Sequence, residues 1–325
     1  MKLRALCFWI ALASLAGAVL WASGCGLGRA PARKRYQLSG YWTGTGIPAG
    51  GFDRPFGIAA APNGDVYVTD ARDRVVKLDA EGRFEVQWGH AGNGPGAFSN
   101  PVGIAVASDG SVYVSDYDQD RVQKFSADGN FLLQFGSHGD RPGEFRAPSG
   151  LAVGRGGNVY VADFYNSRVQ EFTPDGKLIR VFGYPGRVGG AALHYPTGVA
   201  ALGSGEFLVA DAYNYELQWF AGDGRELRRA GYHLFWLWPR PAEGAAGFDV
   251  PTGVAVGPNG FIHVADSANH RVVMLSKDGK FASGWELPNP NPKVYSPEQV
   301  AVSPDGNTVY ATGFAGDRVI VLSLQ

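Results

Sequence analysis

The sequence predicts an all-β fold: a six-bladed β-propeller of four-stranded antiparallel blades, its ring closed by an N-terminal strand that completes the last blade. Three observations carry this. A unit of four short β-prone runs separated by turn signals recurs along nearly the whole chain. Its leading proline stands at positions 55, 101, 148, 196, 251 and 297, at intervals of 46, 47, 48, 55 and 46 residues. Gly and Pro together make 67 of 325 residues and aromatics 13%, a composition of short strands and tight turns, not of helices.

The third unit shows the pattern best. Strand a is Pro148-Ser149-Gly150-Leu151-Ala152-Val153 and strand b is Asn158-Val159-Tyr160-Val161-Ala162-Asp163. Strand c is Arg168-Val169-Gln170-Glu171-Phe172, and strand d follows Asp175-Gly176. Turns such as Asn63-Gly64, Asp109-Gly110 and Asp305-Gly306 join a to b. Asp128-Gly129, Asp223-Gly224 and Asp278-Gly279 join c to d. Asx-Gly pairs supply the positive φ that two-residue hairpins need. Strand cores such as Ile104-Ala105-Val106 are apolar at consecutive positions, which suits sheets packed on both faces.

The sixth unit ends at Leu324-Gln325, directly after its strand c. Tyr36-Gln37-Leu38-Ser39-Gly40-Tyr41-Trp42 supplies the missing strand d, because Trp42 precedes Pro55 by 13 residues, as Trp88 precedes Pro101 and Phe135 precedes Pro148. Such an exchange leaves no open edge.

Residues 1–24 read as an export signal. Lys2 and Arg4 precede an apolar run, and Ala22-Ser23-Gly24 places small residues before Cys25. This resembles the lipobox of bacterial lipoproteins, with Ala22 where Leu is more usual, and implies lipidation of Cys25. An uncleaved anchor helix is the alternative. Residues 25–35 form a basic tether, and residues 36–325 the propeller. Only Cys7 and Cys25 occur, so a cleaved chain would hold no internal disulfide. Residues 1–35 carry six basic and no acidic groups, which leaves 23 basic against 30 acidic in the body. An acidic body argues against nucleic acid as a partner.

The pattern Pro-x-Gly-[Ile/Val/Leu]-Ala-Val, then Val-Tyr-Val-[Ala/Ser]-Asp, then Arg-Val-Gln-x-Phe resembles NHL-repeat proteins, with Asn166-Ser167-Arg168-Val169-Gln170 and Asn269-His270-Arg271-Val272 near the family's characteristic segment. The resemblance covers roughly residues 36–325 and implies the fold. It does not single out a function, because this fold serves as enzyme, sensor and binding platform. A related enzyme, the peptidyl-hydroxyglycine amidating lyase, holds zinc through histidines just after the strand-a proline. Phe56, Val102, Ser149, Thr197, Thr252 and Glu298 stand there in this chain, and none is His.

The b–c and d–a connections are long and variable and share one face, which is the expected binding surface. Tyr117, Phe164, Tyr165, Tyr213, Tyr215 and Phe314 fall in its b–c loops. An insertion after Gly231 adds Tyr232, His233, Phe235, Trp236 and Trp238. The expected ligand site comprises Tyr117, Phe164, Tyr165, Tyr213, Tyr215, His233, Trp236 and Trp238; packing is the competing account of the insertion. Asp70, Asp116, Asp163, Asp211 and Asp266 end strand b in five units, with Arg74, Arg121, Arg168 and Arg271 following. A residue repeated in every blade is expected to be architectural, bracing the b–c loop. Unit four then replaces the Arg with Leu217, and unit six the Asp with Gly313. No cofactor is expected. A divalent cation is the alternative, with Glu298, His90, His138 and His194 as its scattered candidate ligands. The expected function is a lipid-tethered binding or scaffolding module of the bacterial cell envelope, on its periplasmic or surface side. Its expected partner is protein or peptide, with glycan as a variant. The rival is a metal-dependent lyase or hydrolase at the channel mouth.

Overall fold

The computed structural model describes residues 35–48, 50–187, 189–203, 205–235, 238–241, 247–286, 296–313 and 316–324. It holds six four-stranded antiparallel sheets. Blade 1 comprises Ile58–Ala60, Val66–Asp70, Arg74–Leu78 and Phe84–Trp88. Blade 2 runs from Pro101–Val106 to Phe131–Phe135, blade 3 from Pro148–Val153 to Leu178–Phe182, and blade 4 from Pro196–Ala201 to Glu226–Ala230. Blade 5 runs from Pro251–Val256 to Phe281–Glu286. Blade 6 comprises Pro297–Val302, Thr308–Gly313 and Arg318–Leu324, and its fourth strand is Tyr36–Trp42. Tyr36 pairs with Leu324 and Trp42 with Val319, so the two ends of the chain share one sheet.

Hydrophobic burial is partitioned by interface. Six separate clusters each join two neighbouring blades, for example Val66, Val68 and Leu78 of blade 1 with Tyr310, Val319 and Val321 of blade 6. Strand b is buried at every position in blades 1 to 5, whereas strand d is only partly covered, because it lies at the outer rim. The rim is closed by rings set on glycines. A Cβ on Gly82, at φ 84°, would stand 2.4 Å from the Trp42 indole of the preceding blade. Gly129 meets Trp88 and Gly176 meets Phe135 in the same way. In blade 4 the strand-d counterpart is Ala230, and fully buried Trp219 from strand c fills the space beside Gly279.

Around the channel a ring of hydroxyl-to-carbonyl hydrogen bonds joins each blade to the next. Thr69 Oγ1 donates to Val102 O (3.2 Å), Ser115 Oγ to Ser149 O (2.6 Å) and Ser149 Oγ to Thr197 O (2.7 Å). Thr197 Oγ1 donates to Pro251 O (3.1 Å), Thr252 Oγ1 to Pro297 O (3.3 Å) and Thr312 Oγ1 to Phe56 O (2.5 Å). The donor alternates between two strands. Blades 1, 2 and 6 place it on strand b, just before the strand end, and blades 3, 4 and 5 have Ala162, Ala210 and Ala265 there. Those three blades supply the hydroxyl from strand a instead. Strand-a glycines allow the approach: a Cβ on Gly57 or Gly103 would lie 2.2 Å from the next blade's carbonyl oxygen.

Two core positions depart from pattern, Leu208 in blade 4 and, with a polar ring, His263 in blade 5. Strand b carries Tyr67, Tyr113, Tyr160 and Tyr310 in four blades but His263 in blade 5. His263 is fully buried, its ring 5.3 Å from Tyr36 of the closing strand, and both ring nitrogens lack a hydrogen-bond partner. Burial pushes its pKa down to about 4.

Two outcomes follow for stability. Ser149→Ala should destabilise by about 1–3 kcal/mol, because it leaves the Thr197 carbonyl and the buried Gly150 N–H without their Ser149 partner. Adding Ala162→Ser should recover most of that by moving the donor to strand b, as in blade 2, and urea midpoints at constant m-value measure both. His263 binds a proton in the unfolded chain below about pH 6.5 but not in the fold until about pH 4, so its contribution to stability falls as the pH drops through that window. His263→Phe should remove that dependence, and the gap between variant and parent should widen on the acid side by up to about 3 kcal/mol in denaturation series.

Candidate functional site

The face opposite the tight turns is built from loops held by the strand-b aspartates. Each accepts the backbone N–H of the residue two before the strand-a proline. The donors are Asp53 to Asp70 (3.2 Å), Ser99 to Asp116 (3.2 Å), Arg146 to Asp163 (2.8 Å), His194 to Asp211 (2.7 Å) and Asp249 to Asp266 (2.8 Å). The brace thus reaches the d–a loop as well as the expected b–c loop, where Arg72 N–H and the Nδ2 groups of Asn166, Asn214 and Asn269 donate to the same aspartates. The arginine completes it: Arg168 Nε lies 2.7 Å from Asp163, while its Nη atoms donate to the carbonyls of Asp140, Arg141 and Glu144. These aspartates are at most 1% exposed. Burial pushes the carboxyls of Asp116, Asp163 and Asp266 up, while loop amides and the arginines oppose it.

Blade 4 corrects one expectation. Asp211 pairs with Glu216 as Asp163 pairs with Arg168, so the arginine's counterpart is Glu216, and Leu217 is a buried core residue. A guanidinium returns from strand d, with Arg229 Nη1 2.8 Å from Glu216. In blade 6, Gly313 pairs with Arg318.

With the loops held, their aromatics meet. Phe164 contacts Tyr165 (4.9 Å), Tyr117 (6.1 Å), Tyr213 (6.4 Å) and, stacked, Tyr195 (5.0 Å). Tyr195 also packs edge-on against Tyr165 and Tyr213 and lies 4.4 Å from His194. Tyr165 and Tyr213 remain 54% and 41% exposed. This patch of blades 2 to 4 borders a cavity of about 270 Å³ at the channel mouth, lined by Phe56, Val102, Tyr117, Phe164 and Gln299 among others. Ser149, Thr197 and Thr252 also line it, but their hydroxyls serve the blade-to-blade ring. Burial, reinforced by neighbouring Tyr165, holds the Tyr117 hydroxyl well above its usual range.

Tyr117, Phe164, Tyr165 and Tyr213 are thus brought together. Tyr215 is not: it caps the Ala212–Asn214 turn at φ 60° and enters none of these ring contacts. Tyr195 was missed because it precedes Pro196 in a d–a loop. It is the only aromatic in that pre-proline column, beside Arg54, Asn100, Ala147, Val250 and Ser296, and reading down the column would have found it. His233 and Trp238 lie on a β-hairpin formed by Tyr232–Phe235 and Trp238–Pro241, in which His233 pairs with Arg240 and Phe235 with Trp238. Trp236, Phe314 and Cys25 lie outside the described residues.

The candidate metal ligands do not converge. His138 Nδ1 lies 2.7 Å from Asp120, and His194 lies beside the Tyr213 carbonyl. Among the described residues no three His, Cys, Asp or Glu side chains form a metal-holding group, His90 and Glu298 included. Glu298 is partly buried, and burial alone pushes its carboxyl up to about 7.

The NHL repeat pattern matches residues 98–125, 145–172, 193–220 and 248–274, each spanning the end of a d–a loop and strands a to c of blades 2 to 5. No curated protein matches the chain in sequence. Among solved structures, virginiamycin B lyase from Staphylococcus aureus is similar at 15% identity and TM-score 0.58, over 90% of this chain and all of that one (100%). A gluconolactonase from Xanthomonas campestris is similar at 18% identity and TM-score 0.60, over 84% of this chain and 87% of that one. A nidogen/laminin complex contributes a chain at 16% identity and TM-score 0.57, over 76% of this chain and 84% of its own. At these identities the likeness is one of fold. The chain is a six-bladed β-propeller carrying NHL repeats, with four of its blades matched by the family's pattern.

Proposed function

We propose that this propeller is a binding module that recognises a protein or peptide through its loop face, tethered to a bacterial cell envelope by lipid on Cys25. The observation that supports the reading is the joined patch of Tyr117, Phe164, Tyr165, Tyr195 and Tyr213 beside an apolar mouth. Large, half-exposed tyrosines on braced loops lose little entropy on binding and combine an apolar face with a hydroxyl.

A second reading rests on Glu298. It occupies the strand-a position whose counterparts line the mouth, next to Gln299, which lines it in blade 6, and its blade draws its ring hydroxyl from Thr312. A carboxyl titrating near neutrality suits proton transfer in a lyase or hydrolase.

Crosslinking in intact cells should capture a partner. Tyr165→Ala with Tyr213→Ala should weaken recovery by about 10-fold or more, the effect of losing anchor residues at an interface. Thermal stability should hold, because both rings are substantially exposed. Undiminished capture would sink the binding reading, and turnover of a lactone or peptide lost on Glu298→Gln would establish the enzyme instead. Separately, Cys25→Ala should release the protein from the membrane fraction, and an unchanged membrane-bound product would count against lipidation.

A further inference from the structure

Strand c opens with arginine in five blades, at Arg74, Arg121, Arg168, Arg271 and Arg318, and with Glu216 in blade 4. The substitution sets two carboxyl groups opposite each other, since Asp211 and Glu216 are cross-strand partners, 0% and 1% exposed. Gln218 Nε2, with two hydrogens, faces three acceptors: Ala192 O (2.7 Å), Asp211 Oδ2 (2.8 Å) and Glu216 Oε1 (2.9 Å). Arg229 Nη1 donates to Glu216 Oε1 (2.8 Å), but its Nε also serves Glu226 Oε1 (2.6 Å). One guanidinium thus stands among three carboxyl groups.

The hydrogen-bond inventory of this cluster is short of a donor. Asn214 Oδ1, Glu216 Oε2 and Gln218 Oε1 are buried without a partner, and all three are acceptors. The equivalent amide oxygens elsewhere are satisfied: Gln123 Oε1 accepts Gly96 N–H and Gln170 Oε1 accepts Gly143 N–H. In blade 4 the corresponding loop amide, Ala191 N–H, turns to Glu226 instead. A proton on Glu216 Oε2 converts one orphaned acceptor into a donor within the same cluster as the two orphaned amide oxygens, and it removes the unbalanced charge.

The cluster lies at the stem of the turn that carries Tyr213. Asp211 and Glu216 flank residues 212–215, and Asp211 holds the His194 amide. Tyr213 N–H donates to His194 O, and its ring meets Tyr195 at 5.3 Å. We propose that Glu216 holds a proton at neutral pH, and that loss of this proton as the pH rises loosens residues 212–215 and the Tyr195–Tyr213 side of the aromatic patch. Two ionised carboxyl groups facing each other across strands b and c repel at low dielectric, and the turn joining them, tied by Asn214 Nδ2 to Asp211 Oδ2 and Gly186 O, bears that repulsion. The meaning of this switch for ligand capture rests on the binding reading above, but the proton does not.

Asp211, facing Glu216, is also pushed up by burial, to about 7, so it ionises first and Glu216 completes the charged pair; the remaining charged groups nearby do not mimic it. Burial, with Arg187 beside it, holds the His194 imidazole below its usual range, so it is neutral where Glu216 titrates. The Arg229 hydrogen bonds keep Glu226 below the ordinary carboxyl range. Burial, reinforced by Asp211 and Glu226 and opposed by Arg229, pushes Glu216 up to about 8. A carboxyl raised in the fold stabilises it fully below the ordinary carboxyl range and loses that contribution as the pH rises through the folded value.

Carbon NMR of the full chain, with carboxyl-labelled Glu and ring-labelled Tyr, tests this between about pH 5 and 9. One Glu carboxyl signal should titrate near pH 8 and be absent in Glu216→Gln, which separates it from Glu298. The Tyr213 and Tyr195 ring signals should move with the same midpoint in the parent and stay at their acid-limit positions in Glu216→Gln. Titration of Glu216 in the ordinary carboxyl range, or rings that ignore it, overturns the proposal. Glu216→Arg with Arg229→Gln rebuilds the Arg121–Gln134 arrangement of blade 2, so it covers the case of a Gln variant that does not fold. Ring titration that persists in that pair also overturns the proposal. No ligand enters the measurement, so failure to capture a partner leaves this result standing, and failure here leaves the binding reading intact.

Discussion

The fold depends on one contact made six times, a hydroxyl on one blade donating to a strand-a carbonyl of the next. A closed ring cannot tolerate one poor interface, because misfit at any blade accumulates around the circle. The glycines of strand a let backbones approach within hydrogen-bond reach, and the hydroxyl makes use of that approach. The last of the six bonds runs from Thr312 to Phe56, so the ring and the terminal strand exchange close at the same interface. Each bond contributes only about 1 kcal/mol net, yet each also satisfies a buried carbonyl that would otherwise be costly.

The ring also decides where the channel mouth is free to vary. Blades 3, 4 and 5 commit their mouth residues Ser149, Thr197 and Thr252 to closure. Blades 1, 2 and 6 draw the hydroxyl from strand b, which releases Phe56, Val102 and Glu298. A second layer of constraint lies outward, where buried aspartates hold the d–a loops. Blades 2 to 4 place aromatics on these braced loops. Blade 4 moves the guanidinium from strand c to strand d, which leaves a buried carboxyl pair beneath part of the patch.

Much of the site was legible, and the gaps have physical causes. The b–c aromatics could be placed because strand ends are marked by Val-Tyr-Val-Ala-Asp and its variants. Tyr195 could not be ranked, since its importance comes from neighbours in two other loops. Leu217 stands six residues after Asp211, whereas the arginines stand four or five after their aspartates, and a spacing of five falls on Glu216. Strand pairing confirms Glu216 as the fourth blade's counterpart.

The sequence by itself determined the number of blades, the strand order within each and the N-terminal completion of the last. These are local matters of turn chemistry, β-pattern and repeat spacing. Tertiary structure alone decided which hydroxyl closes each interface, which loop each aspartate holds, and which aromatics touch. The hydroxyl–carbonyl partners, and the aspartates with their d–a loop amides, are separated by 16 to 256 residues and meet only when the ring is complete.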